Sequence, residues 1–163
     1  MNSGQERPLE QDVNRLFAEL RAANEESFDA LRQLPSGRIA QAQHQLLLAL
    51  ELSWRLEELV LLPALRRSGL DTAEIEQEMV VLREAAEMLA TDTVDASAAH
   101  IVLGAIEGIA MLRAKRIGTA LALATQAGPL DNARLAEEFQ QMLERWQGEL
   151  RSDQHSPPAS RPH

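Results

Sequence analysis

Glu57 is the side chain whose place in the sequence could support chemistry. It lies in the apolar stretch SWRLEELVLLPAL, residues 53–65, and shares a helix face with Leu46, Leu50 and Val60 at about 100° per residue. A carboxylate on an apolar face is costly unless it is paired, protonated or bound to a metal. The pattern therefore predicts a buried Glu57 that needs a partner, or a Glu57 that reaches water from a helix end.

Other residue types that carry out catalysis do not occur at suitable spacings. The chain has no cysteine, which excludes thiol nucleophiles, thiolate metal sites and disulfides. It contains no glycine-rich phosphate loop, nucleophile elbow or zinc motif. Its four histidines fall near predicted helix ends or in the C-terminal tail: His44, His100, His155 and His163. We therefore expect no enzymatic activity, no catalytic residue, no metal ligand and no bound cofactor.

The composition indicates a helical protein of one domain. Its 163 residues are 45% hydrophobic but only 3% aromatic, which favours a core built from aliphatic side chains on helices. The formal net charge of −9 argues against a nucleic-acid partner. The polar N-terminus has no signal-peptide pattern, and charges interrupt the apolar stretch around Glu57. We expect a soluble, cytoplasmic protein that does not contact a membrane.

Helical periodicity and turn residues predict five helices, at about 9–34, 38–67, 72–90, 96–126 and 132–151. Short connections between the first four predict an all-α, antiparallel up-down four-helix bundle. The helix at 132–151 is then an additional C-terminal helix of a single domain spanning 9–151. The polar, Pro-rich tail at 152–163 is expected to be disordered.

Two predicted helices have features that a four-helix core does not need. The helix at 132–151 carries Phe139, Met142 and Trp146 on one side, which predicts a homodimer contact or a contact with an unidentified protein partner. The alternative is that this helix covers an open end of the bundle. The helix at 96–126 contains Gly104 and Gly108, which indicate either close approach of another helix or simple tolerance of glycine.

The succession of the first four predicted helices and the segment ELVLLPALRRSG resemble the hemerythrin-like, or HHE cation-binding, family over about residues 13–123. The resemblance implies a bundle core that holds a non-haem di-iron centre through histidine and carboxylate ligands. The family's ligand positions fall on six residues of this chain: Asn24, Ser53, Glu57, Met79, Met111 and Lys115. Of the six, only Glu57 is the residue type that the family has at its ligand position. The chain therefore resembles a degenerate member of the family that lacks the di-iron ligands.

Two functions are compatible with this resemblance. The preferred one is a hemerythrin-like bundle that has lost the di-iron site and acts as a non-enzymatic interaction or regulatory module. The alternative is a metal-ion or small-ligand-binding hemerythrin-like protein, related to iron or oxygen sensing, that uses Glu57. A ligand-sensing pocket in the space of the di-iron centre is a third possibility, although Met79 and Met111 would tend to fill it.

The resemblance also implies a partner for the Glu57 carboxylate. It places Lys115 where the facing metal-ligand carboxylate would lie, so that a Glu57–Lys115 ion pair would replace the bridged metals. Asn24 and Ser53 would supply hydrogen bonds around the pair. Lys115 lies off the main apolar stripe of its predicted helix, however. Arg113 and a protonated Glu57 are the alternatives.

Overall fold

The computed structural model describes residues 12–35, 38–91 and 95–155, and it describes side chains as far as residue 152. Over these ranges the chain is all-helical and has no strand. The described ranges contain five helices, which we number α1 to α5. They are α1 (Val13–Arg32), α2 (three consecutive segments, Ile39–Leu56, Glu57–Leu61 and Leu62–Arg67), α3 (Ala73–Ala90), α4 (Ala96–Gln126) and α5 (Asn132–His155).

The helix ends differ from the predicted ones by a few residues. Asp12 caps α1 by accepting a hydrogen bond from the Asn14 N–H at 3.0 Å, and residues 9–11 lie outside the described ranges. The last helix continues to His155, four residues beyond its predicted end, because the first residue in this part of the sequence that disfavours helix is Pro157. Residues 152–155, which the sequence assigned to the tail, are helical, and residues 156–163 lie outside the described ranges.

The middle segment of α2, Glu57–Leu61, is a turn of π-helix. In this wider turn the Leu62 N–H donates to the Glu57 carbonyl five residues earlier. Pro63 follows directly, and proline has no N–H to donate and crowds the carbonyl four residues before it. The π turn relieves that crowding without ending the helix, and it lies directly at Glu57.

The core contains residues from all five helices. Helix α4 packs against α1 and α3, and α1 also packs against α2. Helix α5 packs against α1 and α2, including the π turn. Phe139 of α5 is fully buried in the same apolar cluster as Phe17 and Leu61, and Met142 and Trp146 pack partly buried against it. The apolar side of the last helix is thus used within the chain.

Asp12 and Asn132 join the first and last helices at their N-termini. The Asn132 side-chain oxygen accepts from the Val13 N–H at 2.8 Å, and its amide nitrogen donates to the Asp12 carboxylate at 3.0 Å. Mainly because of this donation from Asn132, the pKa of Asp12 is lowered from its ordinary value of 3.8. The two side chains therefore fix the position of α5 against α1.

Candidate functional site

Glu57 is buried and its carboxylate pairs with the guanidinium of Arg113. Glu57 lies in the π turn of α2, and Arg113 lies in the middle of α4. Glu57 is 5% exposed and Arg113 is 1% exposed, which makes this a fully desolvated ion pair. Of the two predicted alternatives, a buried Glu57 with a partner is confirmed, and Glu57 does not reach water from a helix end.

Arg113 also joins α4 to α3. Its Nε donates a hydrogen bond to the Ile75 carbonyl at 3.1 Å, while its Nη1 contacts Glu57 Oε2. Its Nη2 is buried and has no hydrogen-bond partner among the described groups. Burial lowers the pKa of Arg113 to about 10, so the guanidinium remains charged at neutral pH. One side chain thereby connects three helices through a single buried charge.

Asn24 and Ser53 lie next to the ion pair. The Asn24 amide nitrogen of α1 donates to the Ser53 hydroxyl of α2 at 2.8 Å, and the hydroxyl donates to the Ala49 carbonyl at 3.1 Å. Together with Glu57 and Met111, both residues line a small, partly open cavity of about 20 Å³. A space of this size accommodates roughly one water molecule.

The six positions implied by the resemblance divide into three groups. Asn24, Ser53, Glu57 and Met111 meet at the small cavity. Met79 is buried nearby in an apolar cluster that also contains Phe28, Trp54 and Leu82. Lys115 is exposed on the far side of α4.

The predicted Glu57–Lys115 pair is therefore wrong. Position 115 is turned by about 200° from position 113 on a helix, so the two side chains leave α4 on opposite sides. The sequence did contain the signal for Arg113. Ile106, Ala110, Arg113 and Ile117 follow the i, i+4, i+7, i+11 spacing of one buried face.

A second ion cluster lies outside the same turn of α2. Arg83 of α3 forms two hydrogen bonds with the Glu58 carboxylate, at 2.9 and 3.2 Å, and it contacts Glu51 at 3.3 Å. Hydrogen bonding to Glu58 is the main reason that the pKa of Arg83 is raised. This half-exposed cluster holds α3 against the π turn from outside, where each pair contributes about 1 kcal/mol or less.

Neither of the two histidines whose side chains are described takes part in the buried site. His44 and His100 are exposed, and the side chains of His155 and His163 lie outside the described part of the molecule. Within the described ranges, no group of three or more His, Asp or Glu side chains is close enough together to hold a metal ion. The described polar side chains of the site are thus the Glu57 carboxylate, the buried Arg113 guanidinium, the Asn24 amide and the Ser53 hydroxyl, with the half-exposed Arg21 also lining the cavity.

Comparison with known proteins adds no relative. No family model, no curated protein and no solved structure matches this chain. By length and composition, α4 is long and apolar enough to cross a membrane, and 17% of its most apolar window is buried inside the described structure.

Proposed function

We propose that this protein is a degenerate hemerythrin-like helical bundle that has lost its di-iron site and acts as a non-enzymatic interaction or regulatory module in the cytoplasm. In this proposal α1 to α4 form the antiparallel four-helix bundle and α5 is the additional C-terminal helix. The observation that carries the proposal is the position of Arg113. Its guanidinium lies against Glu57, beside the cavity lined by Asn24, Ser53 and Met111.

The electrostatics at Glu57 favour the Arg113 guanidinium over a bound metal ion as the positive charge. A metal ion would have to displace the Arg113 guanidinium from Glu57 and leave that charge buried and unpaired. Leaving one member of a buried pair without its partner costs about 3–5 kcal/mol. Iron would gain only a single carboxylate in return, whereas di-iron sites in helical bundles use several carboxylate and histidine ligands. Arg113 thus supplies the positive charge that the metals supply in an intact site.

The size of the cavity supports the same proposal against a ligand-sensing role. Small-molecule sites usually enclose about 300–1,000 Å³. The space beside Glu57 is about 20 Å³, and Met111 forms part of its wall. A ligand larger than a water molecule would have to displace core side chains.

Thermal unfolding in the presence of metals tests this proposal. A ligand that binds only the folded state at 100 times its dissociation constant adds about 2.7 kcal/mol of stability. For a chain of this size that raises the melting temperature by about 5–11 °C. We expect Fe²⁺, Mn²⁺ and Zn²⁺ to produce no rise that EDTA reverses. A reversible rise that persists when all four histidines, His44, His100, His155 and His163, are replaced by Ala would contradict the proposal, because histidine ligands could no longer explain it.

A further inference from the structure

Helix α4 is apolar on two opposite sides, and only one of them is covered. Ile106, Ala110, Ile117 and Leu121 face the core. A soluble amphipathic helix normally carries charged and polar residues on the side opposite its buried face. On α4 that outer side instead presents Ile101, Leu112 and Leu123, which are 71%, 56% and 63% exposed.

The exposed residues between these three on the outer side are small. Gly104, Ala105, Gly108 and Thr119 lie on the same side and are exposed. A Cβ added at Gly104 or Gly108 would meet nothing within 4 Å, so no neighbouring helix of this chain requires either glycine. We call this surface the outer stripe of α4, defined by Ile101, Gly104, Gly108, Leu112 and Leu123.

The spacing of the large residues is symmetric. Ile101, Leu112 and Leu123 are separated by 11 residues each, which is about three helical turns or roughly 16 Å along the axis. A second copy of the helix, turned through a two-fold axis at Leu112, places Ile101 opposite Leu123 and Leu112 opposite itself. Two-fold dimers require this kind of self-complementary surface.

We propose that a second copy of this chain packs antiparallel along the outer stripe of α4, with the two-fold axis at Leu112. This inference deepens the proposed interaction role by assigning it a surface and a partner. It also places that surface on α4 rather than on α5, because Phe139 of α5 is already buried within the chain.

The charges beside the stripe favour a second copy as the occupant. Two cations lie beside the stripe. Arg116 pairs with Glu74 and Glu78 of its own chain, whereas Lys115 is exposed and has no ion-pair partner among the described residues. Lys115 and Leu112 line an open groove of about 680 Å³ whose α3 side carries the carboxylates of Asp71 and Glu74. Glu74 contacts Arg116 of the same chain at 3.5 Å, whereas the exposed Asp71 has no ion-pair partner among the described residues. Two copies related by the two-fold axis can therefore place the Lys115 of each near the acidic α3 wall of the other. None of the five residues of the outer stripe is acidic, so two stripes can meet without repulsion between carboxylates even though the chain carries a net charge of −9.

Molar mass in solution tests the proposal. Multi-angle light scattering of the full chain should give twice the 18.0 kDa of one chain. Leu112→Glu should halve that mass while far-ultraviolet circular dichroism remains helical. Leu59→Glu is the matched control, because Leu59 is 55% exposed but lies on the π turn of α2, and this variant should remain dimeric. A monomeric wild type, or equal behaviour of the two variants, would overturn the proposal.

Cysteine cross-linking tests the orientation and does not depend on whether Leu112→Glu folds. The chain has no native cysteine, so each introduced thiol is unique. Under mild oxidation Leu112→Cys should form a disulfide-linked dimer with itself, because the two-fold axis brings its two copies together. Ile101→Cys should not cross-link to itself but should cross-link to Leu123→Cys when the two variants are mixed. Efficient self-linking of Ile101→Cys, or a monomer that instead sediments with phosphatidylglycerol vesicles, would overturn the antiparallel dimer.

Discussion

Replacing Arg113 by Met should be among the most destabilising single changes in this protein. The guanidinium is 1% exposed and its partner Glu57 is 5% exposed, so the variant leaves a buried carboxylate without a counter-charge. Breaking a buried ion pair in this way costs about 3–5 kcal/mol of unfolding free energy. For a chain of 163 residues this lowers the melting temperature by about 6–20 °C.

The double variant Glu57→Leu with Arg113→Met should recover most of that loss. Both charges are then absent, and apolar side chains of similar size often replace a buried pair without net cost. The hydrogen bond from Arg113 Nε to the Ile75 carbonyl is not restored, so about 1 kcal/mol should remain lost. Urea unfolding of the wild type, both single variants and the double variant gives the coupling energy. Lys115→Met is the matched control and should change stability by less than about 0.5 kcal/mol. Strictly additive losses, or a Lys115→Met loss equal to that of Arg113→Met, would refute the role of this pair.

Three further predictions concern the other helices. The folded-state pKa of Asp12 is below 3.8, so its carboxylate stabilises the fold above that pH and loses this effect as the pH falls through the folded-state pKa. The difference in unfolding free energy between wild type and Asp12→Asn, measured by urea unfolding from pH 7 downwards, should stay constant to about pH 3.8 and then shrink. A difference that persists in acid would contradict this role of Asp12. Phe139→Ala should cost about 3–5 kcal/mol because Phe139 is fully buried, whereas Leu59→Ala, at an exposed position away from α4, should cost less than about 0.5 kcal/mol. Equal losses in thermal unfolding would show that α5 is not part of the core. Arg83→Ala should cost only about 1 kcal/mol of unfolding free energy despite the three contacts of Arg83 with Glu51 and Glu58, because these pairs are half-exposed and solvent screens them. A loss near that of Arg113→Met would show that solvent screens these pairs much less than expected.

The helices and the inward position of Glu57 could be predicted because both depend on short-range periodicity. Leu46, Leu50 and Val60 share a face with Glu57 in sequence, and all four are buried. Helix ends were less predictable because they depend on single side chains. Asp71 and Glu74 have the spacing of a capping box at the start of α3, but in the structure Asp71 accepts from the Ala73 N–H at 3.0 Å and Glu74 contacts Arg116 at 3.5 Å instead.

The partner of Glu57 was assigned incorrectly because a resemblance was preferred over a helical wheel. The family pattern selected Lys115, whereas the spacing of Ile106, Ala110 and Ile117 places Arg113 on the buried face. An arginine on an apolar stripe facing a buried glutamate is the pattern to look for in a helical bundle. The error arose because a buried helix face is usually identified from its apolar residues alone, which leaves out an arginine that lies on it.

The π turn and the coverage of the core by α5 depend on longer-range geometry. Pro63 signals a disturbance in α2, but it does not determine whether the helix kinks, ends or widens. The burial of Phe139 depends on how α5 docks against α1 and α2, which the pattern within α5 does not specify. Asn132 and Asp12, which set that docking, are 120 residues apart and have no sequence signal that pairs them.

Elemental analysis of the purified full chain after expression in iron-rich medium tests the central claim most directly. If Arg113 supplies the cation that accompanies Glu57, the protein should contain far less than one iron per chain, and dialysis against a chelator should leave its melting temperature unchanged. A content of about two irons per chain, lost together with stability on chelation, would contradict the claim, because two metals and the buried guanidinium cannot occupy the same site.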